Sequence, residues 1–265
     1  MTALLQTQGL TRRYAGLIAV DGVDMAVQAG SVHALIGPNG AGKTTLFNLI
    51  SGLEIPSSGT VRLRGQDLTA LPADRRTALG LARTFQNVRV FAAMTVLENV
   101  LTGLHPSRTT GLAATILRTP RFRREERALV ERARAALDMV GLAARAGERA
   151  GGLSYGDQRR LEIARAMVPE PAVVLLDEPA AGMNPAETET LAGLVRRIRD
   201  LGTTVLLVEH DMGFVMDISD TVTVLNFGRL IFSGAPAAAR QAPEVLEAYL
   251  GHKVAARLAA RVQRP

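Results

Sequence analysis

The chain contains no cysteine, which excludes disulfide bonds, thiolate metal sites and cysteine nucleophiles. It also lacks any apolar run long enough to cross a bilayer, and residues 1–10 have neither the basic start nor the long apolar segment of a secretory signal. From these absences we expect a cytoplasmic protein that is soluble or bound peripherally at a membrane.

Aromatic residues make up only 4% of the chain, too few to build the stacking platforms that bind single-stranded nucleic acid. The net charge of +6 invites a nucleic-acid or anionic-membrane partner, but the 31 basic residues are scattered among 25 acidic ones. No nucleic-acid partner is expected. At 265 residues, the chain suits one large α/β domain with an inserted or appended subdomain.

Lysine is scarce too, because Lys43 and Lys253 are the only lysines and every other basic residue is arginine. Lys43 ends a glycine-rich loop between an apolar run, 32–36, and a helical pattern. Glycines let backbone N–H groups converge on one point, and a compact ammonium fits a cage of phosphate oxygens better than a guanidinium. The pattern predicts a phosphate loop rather than an ordinary turn, with Thr44 as a Mg²⁺ ligand. The predicted nucleotide contacts are Gly37, Pro38, Asn39, Gly40, Ala41, Gly42, Lys43, Thr44 and Thr45.

A second apolar run, 172–176, ends in two acids. A carboxylate at the end of a buried strand suits Mg²⁺ through its water shell, which is the role expected for Asp177. We expect Glu178 to face the attacking water as general base or polarising group. Two acids closing a Val/Leu strand are hard to explain structurally, because burying charge is costly without a partner.

Two further side chains are expected at the same edge of a parallel sheet. Gln86 ends a strand predicted over 82–86, where it either ligates Mg²⁺, orients water or is only a surface residue. His210 follows the strand predicted over 203–208 and is suited to hydrogen-bond the γ-phosphate.

Another turn of small residues meets a helix at 151–160, now without a lysine. The Ser154 hydroxyl and the Gly156 amide are suited to receive a phosphate, although a plain N-cap is the simpler interpretation. One chain seldom needs two phosphate-facing helix ends for one nucleotide, so the second raises the question whether it serves a nucleotide held by another chain. Tyr14 is suited either to stack on a purine or to pack half-buried.

The remaining pattern predicts secondary structure. Short strands are expected over 17–20 and 23–27, with a turn at 21–22. From about 94 to 167 the pattern is helical, with helices over 95–104, which opens with a capping box, and 124–140.

Each of two basic segments has two possible interpretations. The arginines between 118 and 127 are either a solvated surface or an approach to phospholipid headgroups. The tail from Glu244 is predicted as a basic amphipathic helix that packs on its own domain or contacts a membrane or partner.

In their order and intervals, these motifs resemble the nucleotide-binding subunit of ABC transporters over essentially the whole chain. A narrower resemblance, to the longer ATP-binding subunit of bacterial branched-chain amino acid importers, is carried by residues 82–89, 153–156, 159–165, 177–185, 209–212 and 248–251. It implies an α/β fold of the P-loop NTPase, ABC type, with a RecA-like core and an antiparallel β subdomain. A domain over 4–250 would carry an inserted α-helical subdomain at about 94–167, followed by the basic tail 251–265.

The resemblance also implies roles for single residues. The loop 37–45 would be Walker A, Gln86 the Q-loop residue, Asp177 the Walker B ligand, Glu178 the catalytic glutamate and His210 the switch histidine. Adenine would stack on Tyr14, with Val20 against the base or sugar. The signature motif facing the opposing ATP would comprise Leu153, Ser154, Tyr155, Gly156 and Asp157.

Two departures from the family pattern matter. Asp157 stands where the signature usually ends in glutamine, so its charge would either weaken the composite site or favour the helix N-terminus. The D-loop position usually occupied by aspartate is Asn184.

The implied cofactors are ATP and Mg²⁺. The implied partners are a second ATP-binding subunit, two integral membrane permease subunits and, indirectly, a solute-binding protein, at the cytoplasmic face of the inner membrane. Three alternatives stay open: an ABC ATPase for another solute, an ABC-type ATPase acting on nucleic acid, and a non-catalytic ATP-binding regulatory subunit. Against the nucleic-acid alternative, only 67 residues (154 − 86 − 1) separate Gln86 from Ser154, too few for a long coiled-coil insert.

Overall fold

An antiparallel sheet forms the first part of the fold. The computed structural model describes residues 3–86, 88–104 and 120–250. Strands β1 (Ala3–Tyr14), β2 (Leu17–Gln28), β4 (Ser58–Leu63) and β5 (Gln66–Asp67) lie in the order β2-β1-β4-β5.

The turn predicted at 21–22 is wrong, because β2 runs continuously through these residues. The register shifts there, from Leu10 opposite Val23 to Arg12 opposite Val20. Gly22 adopts φ 61°, and its N–H donates to the Thr11 hydroxyl at 3.0 Å. This is a β-bulge, in which an extra residue bends the strand without ending it.

A six-stranded sheet forms the centre, in the order β10-β9-β3-β8-β7-β6. All neighbours are parallel except β10, which pairs antiparallel with β9. Every residue of β3, β7 and β8 is buried, as the continuous apolar runs predict for strands covered on both faces. The strands are β3 (Val32–Ile36), β6 (Leu81–Arg83), β7 (Val173–Asp177), β8 (Thr204–Val208), β9 (Thr221–Asn226) and β10 (Arg229–Gly234).

Helices surround this sheet. The helix predicted over 95–104 is confirmed with slightly different ends: it spans Val96–Thr102 behind a capping box of Thr95 and Glu98. The long helix begins at Pro120, not at 124. The helices are α1 (Lys43–Ser51), α2 (Ala73–Ala78), α3 (Val96–Thr102), α4 (Pro120–Met139), α5 (Tyr155–Met167), α6 (Pro185–Asp200), α7 (Met212–Ile218), α8 (Pro236–Ala239) and α9 (Pro243–Leu250).

The central sheet separates two hydrophobic cores. One core joins β3 side chains such as Ala34 to the helical layer, and the other joins Leu35 to α1 and the antiparallel sheet. Since strand side chains alternate between faces, one short strand serves both cores. The apolar stripe predicted on the long helix is buried in the first core: Leu129, Ala133, Ala136, Leu137 and Val140.

Some predictions fall outside the described residues. These include Asn87, the segment 105–119 with Arg118, and the basic tail 251–265. Among the residues that are described, no helix is both long and apolar enough to cross a membrane.

Candidate active site

The glycine-rich loop lies between β3 and α1, at the carboxyl edge of the parallel sheet. A Cβ on Gly37, at φ 151°, would lie 2.2 Å from the Leu225 carbonyl oxygen, and one on Gly42, at φ 99°, would lie 2.4 Å from that of Ala19. Only glycine fits at either position. Gly42 is the N-cap of α1 and offers no side-chain acceptor, so the first amides of the helix are available to an anion.

Lys43 sits inside this loop and is 9% exposed. Its ammonium donates to the carbonyls of Gly37 at 2.6 Å and Pro38 at 3.0 Å. Burial lowers the pKa of Lys43, while the negative charge of Glu178 raises it. The loop therefore holds the partly desolvated ammonium of Lys43, and the negative charge of Glu178 partly compensates it.

A cavity of about 530 Å³ opens over the loop. Gly37 and Pro38 do not line it, but their carbonyls accept the hydrogen bonds of Lys43, which does. Phe227 and Gly228 also line the cavity. The predicted site residues that line the cavity are Tyr14, Asn39, Gly40, Ala41, Gly42, Lys43, Thr44, Thr45 and Glu178.

Tyr14 ends β1 at the rim of the cavity and is 38% exposed. Its hydroxyl donates to the Glu54 carboxylate, and the guanidinium of Arg12 lies 4.6 Å from its ring centroid. The predicted contact of Val20 with the base or sugar is wrong for this arrangement, because Val20 has no exposed surface and lies in the core. Its neighbour Ala19 lines the cavity instead.

Asp177 and Glu178 have different surroundings, since only Glu178 lines the cavity. Asp177 ends β7, is 4% exposed and accepts from the Arg83 guanidinium at 2.8 Å. Arg83 also donates to Asn48 Oδ1 and Ser51 Oγ, so it links the acidic strand to α1. Sequence reasoning missed Arg83; the available signal was an arginine ending the strand beside β7.

Glu178 lines the cavity, and its backbone is left-handed, with φ 44°. Its N–H donates to the Val208 carbonyl at 3.0 Å. Its carboxylate accepts from the side-chain amide of Gln86 at 3.0 Å. The strand predicted to end on Gln86 is wrong, since β6 ends at Arg83 and Gln86 lies in the loop beyond.

That loop is held by a residue that the sequence did not single out. Arg159 of α5 has no exposed surface, and its guanidinium donates to the carbonyls of Phe85 and Gln86, both at 2.8 Å. It also pairs with Glu162 at 3.3 Å. Burial raises the pKa of Glu162, opposed by Arg159 and Arg165. Because both carbonyls belong to the Gln86 loop, α5 fixes the backbone from which Gln86 reaches Glu178.

His210 follows β8 at the same sheet edge but does not line the cavity. Its side chain is 62% exposed and lies 3.9 Å from the carboxylate of Glu209. The contact of His210 with a γ-phosphate stays a prediction. Glu209 was not singled out from the sequence; it is 1% exposed, and burial raises its pKa.

The serine-glycine turn is separate from this cavity, and none of residues 153–157 lines it. Ser154 caps α5 and accepts from the Asp157 N–H at 3.2 Å. The Asp157 carboxylate accepts from Arg145 at 2.5 Å and from Arg160. Arg145 and Arg160 thus pair with the carboxylate of Asp157, the residue that departs from the family pattern.

The predicted magnesium ligands are compatible with the metal. Thr44, Asp177 and Gln86 offer a hydroxyl, a carboxylate and an amide oxygen, the hard donors that Mg²⁺ takes in small numbers beside phosphate and water. Arg83 contacts Oδ2 of Asp177, and Gln86 donates through Nε2. These two contacts therefore do not use Oδ1 of Asp177 or Oε1 of Gln86, the atoms that would bind the metal. Among the described residues there is no cluster of three or more His, Cys, Asp or Glu able to cage a metal alone.

Comparison with known proteins gives consistent matches. A family model described as ABC transporter matches residues 20–181. The chain is 47% identical over 249 residues to the high-affinity branched-chain amino acid transport ATP-binding protein LivG of Escherichia coli K12, covering 94% of this chain and 98% of the relative. BraF of Pseudomonas aeruginosa, which carries the same description, matches with the same identity and coverage.

Solved structures agree with the sequence matches. An ATP-binding cassette of an ABC transporter in its ADP conformation is 30% identical, with a TM-score of 0.83, and the match covers 95% of this chain and 100% of that one. A nucleotide-free ATP-binding cassette from an ABC transporter matches with a TM-score of 0.82 at 30% identity and the same coverage.

Proposed function

This chain belongs to the ABC transporter family and is an ATPase of that family, and we propose that it powers the import of branched-chain amino acids. The observation that carries ATP hydrolysis as the power source is one cavity that brings together the phosphate loop and Glu178, with Gln86 donating to Glu178 at 3.0 Å. The triphosphate lies on the loop amides and Lys43, and Tyr14 meets the adenine.

Catalysis in this site is mostly positioning and charge stabilisation of the transferring phosphoryl group. Glu178 accepts a proton from the attacking water, and Gln86 fixes the orientation of its carboxylate. Thr44, Asp177 and Gln86 would hold Mg²⁺, which would supply neutralisation of the charge on the phosphate oxygens. The His210 imidazole meets the γ-phosphate from the end of β8.

We propose that the working form is a pair of ATP-binding subunits. The amide-bearing end of α5 at Ser154 lies apart from its own cavity, which suits a cap on the nucleotide held by a second subunit. Arg145 pairs with both Asp157 and Glu148, and Arg160 pairs with Asp157, so the cluster of two arginines and two carboxylates adds no net negative charge beside this helix end. ATP closes the pair, and loss of the γ-phosphate opens it.

The proposed assembly also contains two membrane permease subunits and works with a solute-binding protein, at the cytoplasmic face of the membrane. The helical subdomain at about 94–167, within the domain 4–250, receives the permeases near the Gln86 loop. The solute class rests on the names of the relatives, which carry branched-chain amino acid transport in their descriptions.

Reconstitution tests the proposal. The chain is co-expressed with two permease subunits and a second ATP-binding subunit of such an importer, placed in vesicles and supplied with a solute-binding protein. We expect ATP-dependent uptake of labelled leucine that is lost with Glu178→Gln. Uptake of another amino acid alone would correct the solute, DNA-stimulated ATPase without membrane partners would favour the nucleic-acid alternative, and assembly-dependent activity that survives Glu178→Gln would identify a regulatory subunit.

A further inference from the structure

Glu209 is a buried carboxylate that joins two segments of the active-site edge. It follows β8 and is 1% exposed. Its oxygens accept from the backbone N–H of Ala180 at 2.7 Å and of His210 at 3.1 Å, and the amide of Asp211 also contributes. Because a buried charge is costly unless hydrogen bonds replace its water, these amides are what keeps the carboxylate in this position.

The Ala180 end of this link stabilises the turn that carries Glu178. A non-glycine residue at φ 44° is uncommon and persists only when its surroundings determine it. The Glu178 N–H donates to Val208, and its carbonyl accepts from Ala181 at 3.2 Å. Glu209 accepts from Ala180, which lies between Glu178 and Ala181. The turn is therefore bonded to two consecutive residues at the end of β8, Val208 and Glu209.

The other end of the link holds the backbone of His210. The same carboxylate therefore connects the turn of Glu178 with the segment of His210; Glu209 itself lies 29 residues further along the chain from Ala180. On the basis of the proposed function, we propose that Glu209 is a positioning residue. It holds Glu178 in its cavity-facing conformation and makes the two segments move together.

The first test uses Glu209→Gln, which keeps the shape of the side chain but places an NH₂ group against backbone donors. We expect kcat to fall roughly tenfold to a hundredfold, as misplacement of a catalytic group by about an ångström does, while the affinity for ATP changes little. Glu189→Gln is the matched control, since its side chain is 77% exposed on α6. Unchanged kcat in Glu209→Gln overturns the inference.

Glu209→Asp gives a second, independent variant. It keeps the charge but shortens the side chain, so the bond to Ala180 is lost, and kcat should fall as in Glu209→Gln. Circular dichroism and thermal melting show whether each variant folds. Should Glu209→Gln fail to fold, Glu209→Asp decides: a folded Glu209→Asp protein with normal kcat overturns the inference.

A double-mutant cycle separates positioning from general structural damage. In single-turnover hydrolysis, Glu209→Gln should add little to the loss caused by Glu178→Gln, because both act through the same carboxylate. In the background of His210→Ala, Glu209→Gln should still lower the rate of hydrolysis below that of His210→Ala alone. Additive losses with Glu178→Gln contradict the inference. A wild-type chain without ATP hydrolysis would instead refute the proposed function itself.

Discussion

The side-chain amide of Gln86 donates a hydrogen bond to the Glu178 carboxylate at 3.0 Å, across 92 residues of chain. Each partner is fixed by a different contact: the Gln86 backbone by Arg159, and the Glu178 backbone by Val208. The orientation of the proposed general base is thus determined by tertiary contacts on both sides.

Replacing Glu178 with glutamine should separate ATP binding from turnover. The loop and Lys43 are unchanged in Glu178→Gln, so ATP affinity should be retained, whereas loss of the base should lower kcat roughly a hundredfold to ten-thousandfold. Isothermal titration and phosphate release measure the two quantities. Near-normal hydrolysis by this variant would remove Glu178 from its role.

The two lysines provide a matched pair. Lys43→Arg places a planar guanidinium where the ammonium donates to Gly37 and Pro38, so we expect ATP affinity to fall roughly tenfold to a hundredfold, in line with loss of charged hydrogen bonds. Lys253→Arg is the control with the same chemical change. Nucleotide titration of both variants is the measurement, and equal affinity in the two would contradict the assigned role of Lys43.

The charge of Asp157 should matter only when its partners are removed. Arg145→Gln removes the partner that Asp157 shares with Glu148 and leaves only Arg160 beside the Asp157 carboxylate, so the KM for ATP should rise roughly twofold to fivefold, the range of a partly exposed ion pair. Adding Asp157→Asn should restore the KM. Arg134→Gln, on the exposed face of α4, is the control. A double variant no better than Arg145→Gln would show that Arg145 acts otherwise.

Stability should fall as the pH drops from neutral towards 4. His33 is buried against Thr223, and burial lowers its pKa from 6.5 to about 4. Between these values the unfolded chain binds more protons than the folded one, so the free energy of unfolding decreases on acidification, by about 2 kcal/mol from pH 7 to pH 5. Urea titrations of wild type and His33→Gln measure the change. An equally steep dependence in His33→Gln would assign it to other groups.

Patterns read along one segment predicted the corresponding structure well. The buried strands β3, β7 and β8, the capping box at Thr95 and the stripe on α4 appear where the sequence indicates, because each depends on neighbours within a few residues. The bulge at Gly22 was missed because it does not depend on neighbours along one segment. It depends on how β1 pairs with β2, and that pairing keeps Val20 in the core.

The sequence by itself determined the glycine-rich loop, its lysine and the two acids at the end of β7, since glycine conformations, helix amides and strand ends are local properties. Tertiary structure decided which side chains meet: Asp177 with Arg83, Asp157 with Arg145, and Ala180 with Glu209. These pairs lie 94, 12 and 29 residues apart. Only the packing of the sheet edge and of α5 brings them within hydrogen-bonding distance, and no spacing along the chain encodes that approach.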